Sequence, residues 1–144
     1  LEVFCVDPGV SIGIAYLREL TLYTDVLKTY TDLHLYLQHI GPSGVIVCES
    51  FNSGNVSHGP MLRTVKVIGA IEAFSELHHL LLVQQTPSSR TAFLDDATLL
   101  LKPHKVLAHH IDACAHLLRY LHSTVGSYQH LSLEVLVGLH NLSR

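Results

Sequence analysis

Tryptophan is absent from this chain, methionine occurs once, and charged residues make up only 15% of its 144 positions. Each shortage excludes something. Low charge beside 48% hydrophobic residues argues against disorder, which requires the opposite balance. Nine lysines and arginines stand against twelve acidic residues, a net charge of -3 with histidine neutral, which is unusual for a protein that grips a polyanion and weakens a nucleic-acid reading. Contact with phosphates would have to rest on a local cluster. No apolar run reaches the roughly 18 residues of a membrane span. No charged segment leads an apolar stretch into a small-residue cleavage site, so the expectation is a soluble, cytoplasmic chain with no membrane partner. The three cysteines, Cys5, Cys48 and Cys114, include no CxxC pair, which speaks against a disulfide framework or a zinc ribbon. They read as reduced thiols filling a core. The length fits a single domain over 1–144.

What the chain has in abundance is apolar segments that end in acids. Residues 3–7 and 11–17 read as strands joined by a tight Asp-Pro-Gly turn, and 21–27 supplies a third, giving an antiparallel meander. A helix is predicted over 32–40, capped by Thr31 or Asp32 and stopped at Gly41-Pro42. The apolar run from Gly44 then forms a strand ending in Glu49. A polar loop over 50–60 leads to a helix from Met61 to His78 and a fifth strand over 80–84. A short helix around 91–100 is followed by one that Pro103 opens and that runs to about His122. Its core face would include Val106, Ala108, Ile111, Ala115 and Leu118, and the small residues Ala113, Cys114 and Ala115 would let it approach the sheet closely. The core would then be 3–122, with a helical tail over 127–143, although alternation at Leu131, Leu133 and Val135 also fits a strand. The order β-β-β-α-β-α-β-α resembles that of ribonuclease H-like α/β folds. These have a five-stranded mixed sheet, its first three strands antiparallel, with helices on both faces.

If the fourth strand returns beside the first, Asp7 and Glu49 meet at adjacent strand ends. Two buried carboxylates repel, and divalent cations are the natural counter-charge, with oxygen ligands favouring magnesium or manganese. His109 and Asp112 are three residues apart and can project from one helical face towards that pair, and His116 continues the face one turn on. Bland alternatives exist for each. Asp-Pro-Gly makes turns unaided, Glu49 could be a solvated strand end, and Asp112 a surface ion pair, though its apolar neighbours disfavour exposure. A zinc site from His110, Cys114 and His116 lacks a paired-cysteine partner. The remaining histidines, among them His34, His39, His78, His79, His122, His130 and His140, read as surface or packing residues.

Val-Asp7-Pro-Gly followed by Ser-Ile-Gly, the strand end Cys-Glu49-Ser, and His109-xx-Asp112-Ala together resemble the RuvC-type Holliday-junction resolvases, over roughly residues 3–122. The resemblance implies a crossover junction endodeoxyribonuclease that binds metal through Asp7, Glu49, His109 and Asp112. It also implies two Mg2+ or Mn2+ ions per site and a homodimer acting on a four-way DNA junction. The compact members carried by bacteriophages are the nearest in size, which would place the protein in the cytoplasm of a bacterial host. The family carries an aromatic wedge in the loop after the strand-four glutamate, and Phe51 is the candidate here. Arg63, Lys66, Arg90, Lys102 and Lys105 are the candidate phosphate contacts. The helix at 61–78 is the expected dimer contact. Two other readings stay open: a non-catalytic nucleic-acid-binding module with the same fold, and an actin-like ATPase, for which 144 residues are too few.

Overall fold

The computed structural model describes residues 1–50 and 59–143. Among these residues six strands, β1 (Glu2–Asp7), β2 (Ile12–Arg18), β3 (Thr21–Leu27), β4 (Val45–Glu49), β5 (Leu81–Gln85) and β6 (Glu134–Val137), form one sheet in the order β5-β4-β1-β2-β3-β6. β1, β2 and β3 are an antiparallel meander, whereas β4 runs parallel to β1, β5 parallel to β4, and β6 parallel to β3. The helices are α1 (Tyr30–Leu37), α2 (Gly59–Leu77), α3 (Leu94–Leu101) and α4 (Ala108–Val125).

The central strands read as continuous apolar runs because both faces of the sheet are covered. Val3 to Val6 on β1 and Ile12 to Leu17 on β2 are all buried. Alternation sorts them. Phe4, Val6, Ile14, Tyr16 and Ile46 pack on one face with Leu33 and Leu37 of α1 and Val67, Ile71 and Phe74 of α2. Val3, Cys5, Ala15, Leu17 and Val47 pack on the other with Ala97 and Leu101 of α3 and Ala113, Ala115, Leu117 and Leu121 of α4. All three cysteines are buried and unbridged, Cys48 on the first face and Cys5 and Cys114 on the second.

Four expectations need correction. The sheet has six strands, not five, because the tail expected as a helix over 127–143 supplies β6 and a short 3-10 turn over Leu139–Ser143. Helical spacing of Val135, Leu139 and Leu142 misleads, since Val135 packs against the α4 face while Leu139 and Leu142 join the α1 and α2 face. The segment straddles the sheet edge, and backbone pairing with the otherwise open edge of β3 decides its form. Gly138, at φ 98°, makes the turn between the two faces possible. α1 begins at Tyr30, and its cap is Thr29 in place of Thr31 or Asp32: Thr29 Oγ1 accepts from the Asp32 N–H at 3.1 Å. Pro103 opens only a 3-10 turn over Lys102–His104, which Lys105 ends in the left-handed conformation. α4 therefore starts at Ala108, where Ala108 is exposed and not part of the core face.

Candidate metal centre

β1 and β4 pair in parallel from Val3 opposite Val45 to Val6 opposite Cys48, so Asp7 and Glu49 are the next residue on each strand. Cys5 and Val47 face α4, and strand alternation turns Asp7 and Glu49, two residues on, to the same side. α4 crosses there at close range. Gly13, paired with Asp7 across β2, lies so near the helix that an added Cβ would be 2.3 Å from the His109 carbonyl oxygen. The run Ala113-Cys114-Ala115, wholly buried, continues that approach.

From α4, Asp112 and His116 point towards the strand ends, spaced i, i+4 on one face. His116 has no exposure, and its Nε2 lies 2.9 Å from Glu49 Oε2. Its Nδ1 lies 2.7 Å from Gln85 Oε1, and Gln85 Nε2 donates back to the His116 carbonyl at 3.2 Å. Ligand atoms of Asp7, Glu49 and His116 all fall within 4.8 Å of one another, and this is the metal-sized group of His, Cys, Asp or Glu side chains among the described residues. Arg90, from the 3-10 segment Pro87–Phe93, bridges the two acids: Nη1 donates to Glu49 Oε2 at 2.9 Å and Nε lies 3.4 Å from Asp112 Oδ1.

The electrostatics follow from crowding. Burial, a hydrogen bond to Glu49 and repulsion from Glu49 and Asp112 push Asp7 up to about 8, against the opposing pull of Arg90. Burial acts on Glu49 in the same direction. Hydrogen bonds with His116 and Asp7 and the charges of His116 and Arg90 outweigh it, holding Glu49 below the ordinary carboxylate value. The two carboxyls are thus shifted in opposite directions, with a guanidinium beside them. Such a donor set, two crowded carboxyls and an imidazole that need positive charge between them, fits a divalent cation.

The sequence-derived candidates are distributed unevenly. Asp7 and Glu49 come together, Asp112 is linked to them through Arg90, and Arg90 itself lies inside the centre. His109 is exposed in the first turn of α4, its backbone against Gly13 and its side chain outside the Asp7, Glu49 and His116 group. Arg63 is exposed and donates to the Lys28 carbonyl; Lys66, Lys102 and Lys105 are exposed. Phe51 lies outside the described residues. The His110, Cys114 and His116 grouping does not form, because His110 Nδ1 is 2.9 Å from Thr24 Oγ1 and Cys114 is in the core. Burial holds His110 below the ordinary histidine value.

Sequence reasoning placed His116 on the right helical face but did not enlist it. The available signal was a histidine between Ala115 and Leu117 in an apolar run, where a polar ring needs partners. Gln85 carried no local signal, since its role depends on standing across β5 from Glu49.

No known family model matches this sequence, and no curated protein is similar to it in sequence. The fold, however, is that of RuvC. Thermus thermophilus RuvC in complex with a Holliday junction substrate superposes with a TM-score of 0.63 at 14% identity, covering 88% of this chain and 96% of that one. A second Thermus thermophilus RuvC structure gives 0.61 at 13% identity, over 88% and 97% of the two chains. At such identity the likeness concerns architecture: an α/β fold with a mixed sheet and helices on both faces.

Proposed function

We propose that the protein is a metal-dependent endonuclease that hydrolyses phosphodiester bonds in branched DNA, the four-way junction first among its substrates. The observation that carries this reading is the convergence of Asp7 and Glu49, at the ends of two adjacent parallel strands, with Asp112 and His116 from the helix laid across them. Likeness of fold to a RuvC bound to a Holliday junction supports the choice of substrate.

Mg2+ or Mn2+, two ions per site in this reading, would supply an activated water and stabilise the leaving oxygen. The chain's own residues do the rest. Asp7 and Glu49 would hold the cation as oxygen donors, and Asp112 would add a third carboxylate from α4. Arg90, which bridges Glu49 and Asp112, would be free to meet a phosphate once a cation held their charge. His109, exposed in the first turn of α4, would ligate an ion or orient water at the rim in this reading. Arg63, Lys66, Lys102 and Lys105 contact the DNA backbone, and Phe51 is the wedge. A homodimer, with α2 at its contact, would place two such centres on one junction. The compact, phage-type reading and a cytoplasmic setting complete the proposal.

The experiment is incubation of a labelled four-way junction with the protein and Mg2+ or Mn2+. Paired, symmetric cuts that vanish in Asp7→Asn and Glu49→Gln are expected. Junction binding without cleavage in either metal would replace the nuclease reading with that of a non-catalytic binding module.

A further inference from the structure

We infer that His116 is a direct nitrogen ligand of the cation held by Asp7 and Glu49, with Gln85 fixing the ring in the ligating tautomer. This rests on the metal-dependent reading of the centre and specifies its ligand set.

Position comes first. His116 is wholly buried, and its Nε2 is aimed into the carboxyl pair, 2.9 Å from Glu49 Oε2. Donor atoms bound to one ion at about 2.0–2.3 Å must lie within roughly 4.6 Å of each other. The Asp7, Glu49 and His116 atoms, all within 4.8 Å, need only a small contraction to meet that limit.

Orientation comes second. Because Gln85 Nε2 donates to the His116 carbonyl, at 3.2 Å, its Oε1 must be the atom facing His116 Nδ1 at 2.7 Å. An amide oxygen can only accept, so Nδ1 carries hydrogen; Nε2, which meets Glu49 in the metal-free protein, is the ring nitrogen that a cation displacing its hydrogen would bind. Holding the second ring nitrogen in this way is how metal-bound imidazoles are oriented. Gln85 is itself fixed. Its carbonyl accepts from Ser50 N at 2.7 Å and Ser50 Oγ at 3.2 Å, locking β5 to the end of β4.

The competing role is that of a positioning residue, an Nε2–H donor that merely aims Glu49. The two roles differ in a measurable way, because only a ligand transfers electron spin to its nitrogen. A nitrogen donor also favours Mn2+ over Mg2+, since imidazole suits transition metals and Mg2+ prefers oxygen.

The test is pulsed electron paramagnetic resonance of Mn2+ bound to the full chain labelled with 15N-histidine, with calorimetry of Mn2+ and Mg2+ binding. A histidine nitrogen coupling is expected in the wild type and in His109→Gln, and its loss when His116→Gln is combined with His109→Gln. Gln85→Leu, which removes the acceptor facing Nδ1, should weaken Mn2+ binding by about ten- to a hundredfold and Mg2+ binding less. Mn2+ binding without nitrogen coupling, loss of the coupling in folded His109→Gln, coupling that survives in the folded double variant, or unchanged Mn2+ affinity in Gln85→Leu would overturn the inference. Junction cleavage with no nitrogen coupling overturns it and leaves the nuclease reading intact. Coupling with no cleavage does the reverse.

Discussion

Gly13 offers a sharp test of how the centre is assembled, because it sits on β2 opposite Asp7 and directly beneath the first turn of α4. An alanine Cβ there would lie 2.3 Å from the His109 carbonyl oxygen, 3.1 Å from its carbonyl carbon and 3.5 Å from Ala113 Cβ. The two close atoms are backbone, so no flexible side chain can give way. Ordinary contact begins near 3.4 Å, so the start of α4 must retreat by about 1 Å. Overpacking of this kind costs about 1–3 kcal/mol. The retreat would also lift Asp112 and His116 away from Asp7 and Glu49, and a displacement of about 1 Å in a catalytic constellation can cost about a hundredfold in rate. Urea unfolding with a chelator present, Mn2+ calorimetry and junction cleavage measure the three consequences. Gly69→Ala on α2 is the matched control, since its Cβ would meet nothing within 4 Å; it should stabilise by about 0.5–1 kcal/mol. If Gly13→Ala changes stability by less than about 0.5 kcal/mol and leaves Mn2+ affinity unaltered, close seating of α4 is not what builds the centre.

Other expectations follow from single contacts. With its proton retained up to about pH 8, folded Asp7 binds a proton that the unfolded chain has released above about 4. The wild type should therefore lose stability relative to Asp7→Asn between pH 5 and 8.5 when metal is chelated; a difference that grows in the wild type's favour would refute this. Glu49, shifted the other way, acts only below its ordinary value of 4.5 and does not disturb that window. Arg90→Gln removes the bridge between Glu49 and Asp112, so chelated protein should lose about 1 kcal/mol while Mn2+ binds more tightly, as calorimetry would show. Thr24→Val takes away the acceptor of the buried His110 Nδ1–H and the hydroxyl that donates to the Ile14 carbonyl at 3.0 Å. A loss of about 1–3 kcal/mol in urea unfolding is expected, larger than a surface threonine would give.

The elements that chain order revealed are those whose environment is uniform along their length. β1, β2 and β4 lie between two layers of helices, so unbroken apolar runs announced them, and period-2 alternation put Asp7 on the face of Cys5. The Ala113-Cys114-Ala115 run on α4 signalled a close approach to the sheet, which Gly13 completes from the other side. By contrast, Pro103 and the tail at 134–143 were misread because their local patterns suit more than one structure. A local 3-10 turn at Lys102–His104 replaces the expected helix start, and pairing with β3, far earlier in the chain, makes the tail a strand.

The site divides along the same line. Which acids stand at strand ends, and which helix carries His109, Asp112 and His116, are local matters of spacing, and the sequence by itself determined them. Which of those groups share a proton, a guanidinium or a cation was decided only by tertiary structure. Arg90 and Gln85 reach the centre from a 3-10 segment and an edge strand about forty residues beyond Glu49, across contacts of 2.9 and 2.7 Å. Electrostatic and hydrogen-bond energies depend on such separations in space, and no periodicity along the chain encodes them.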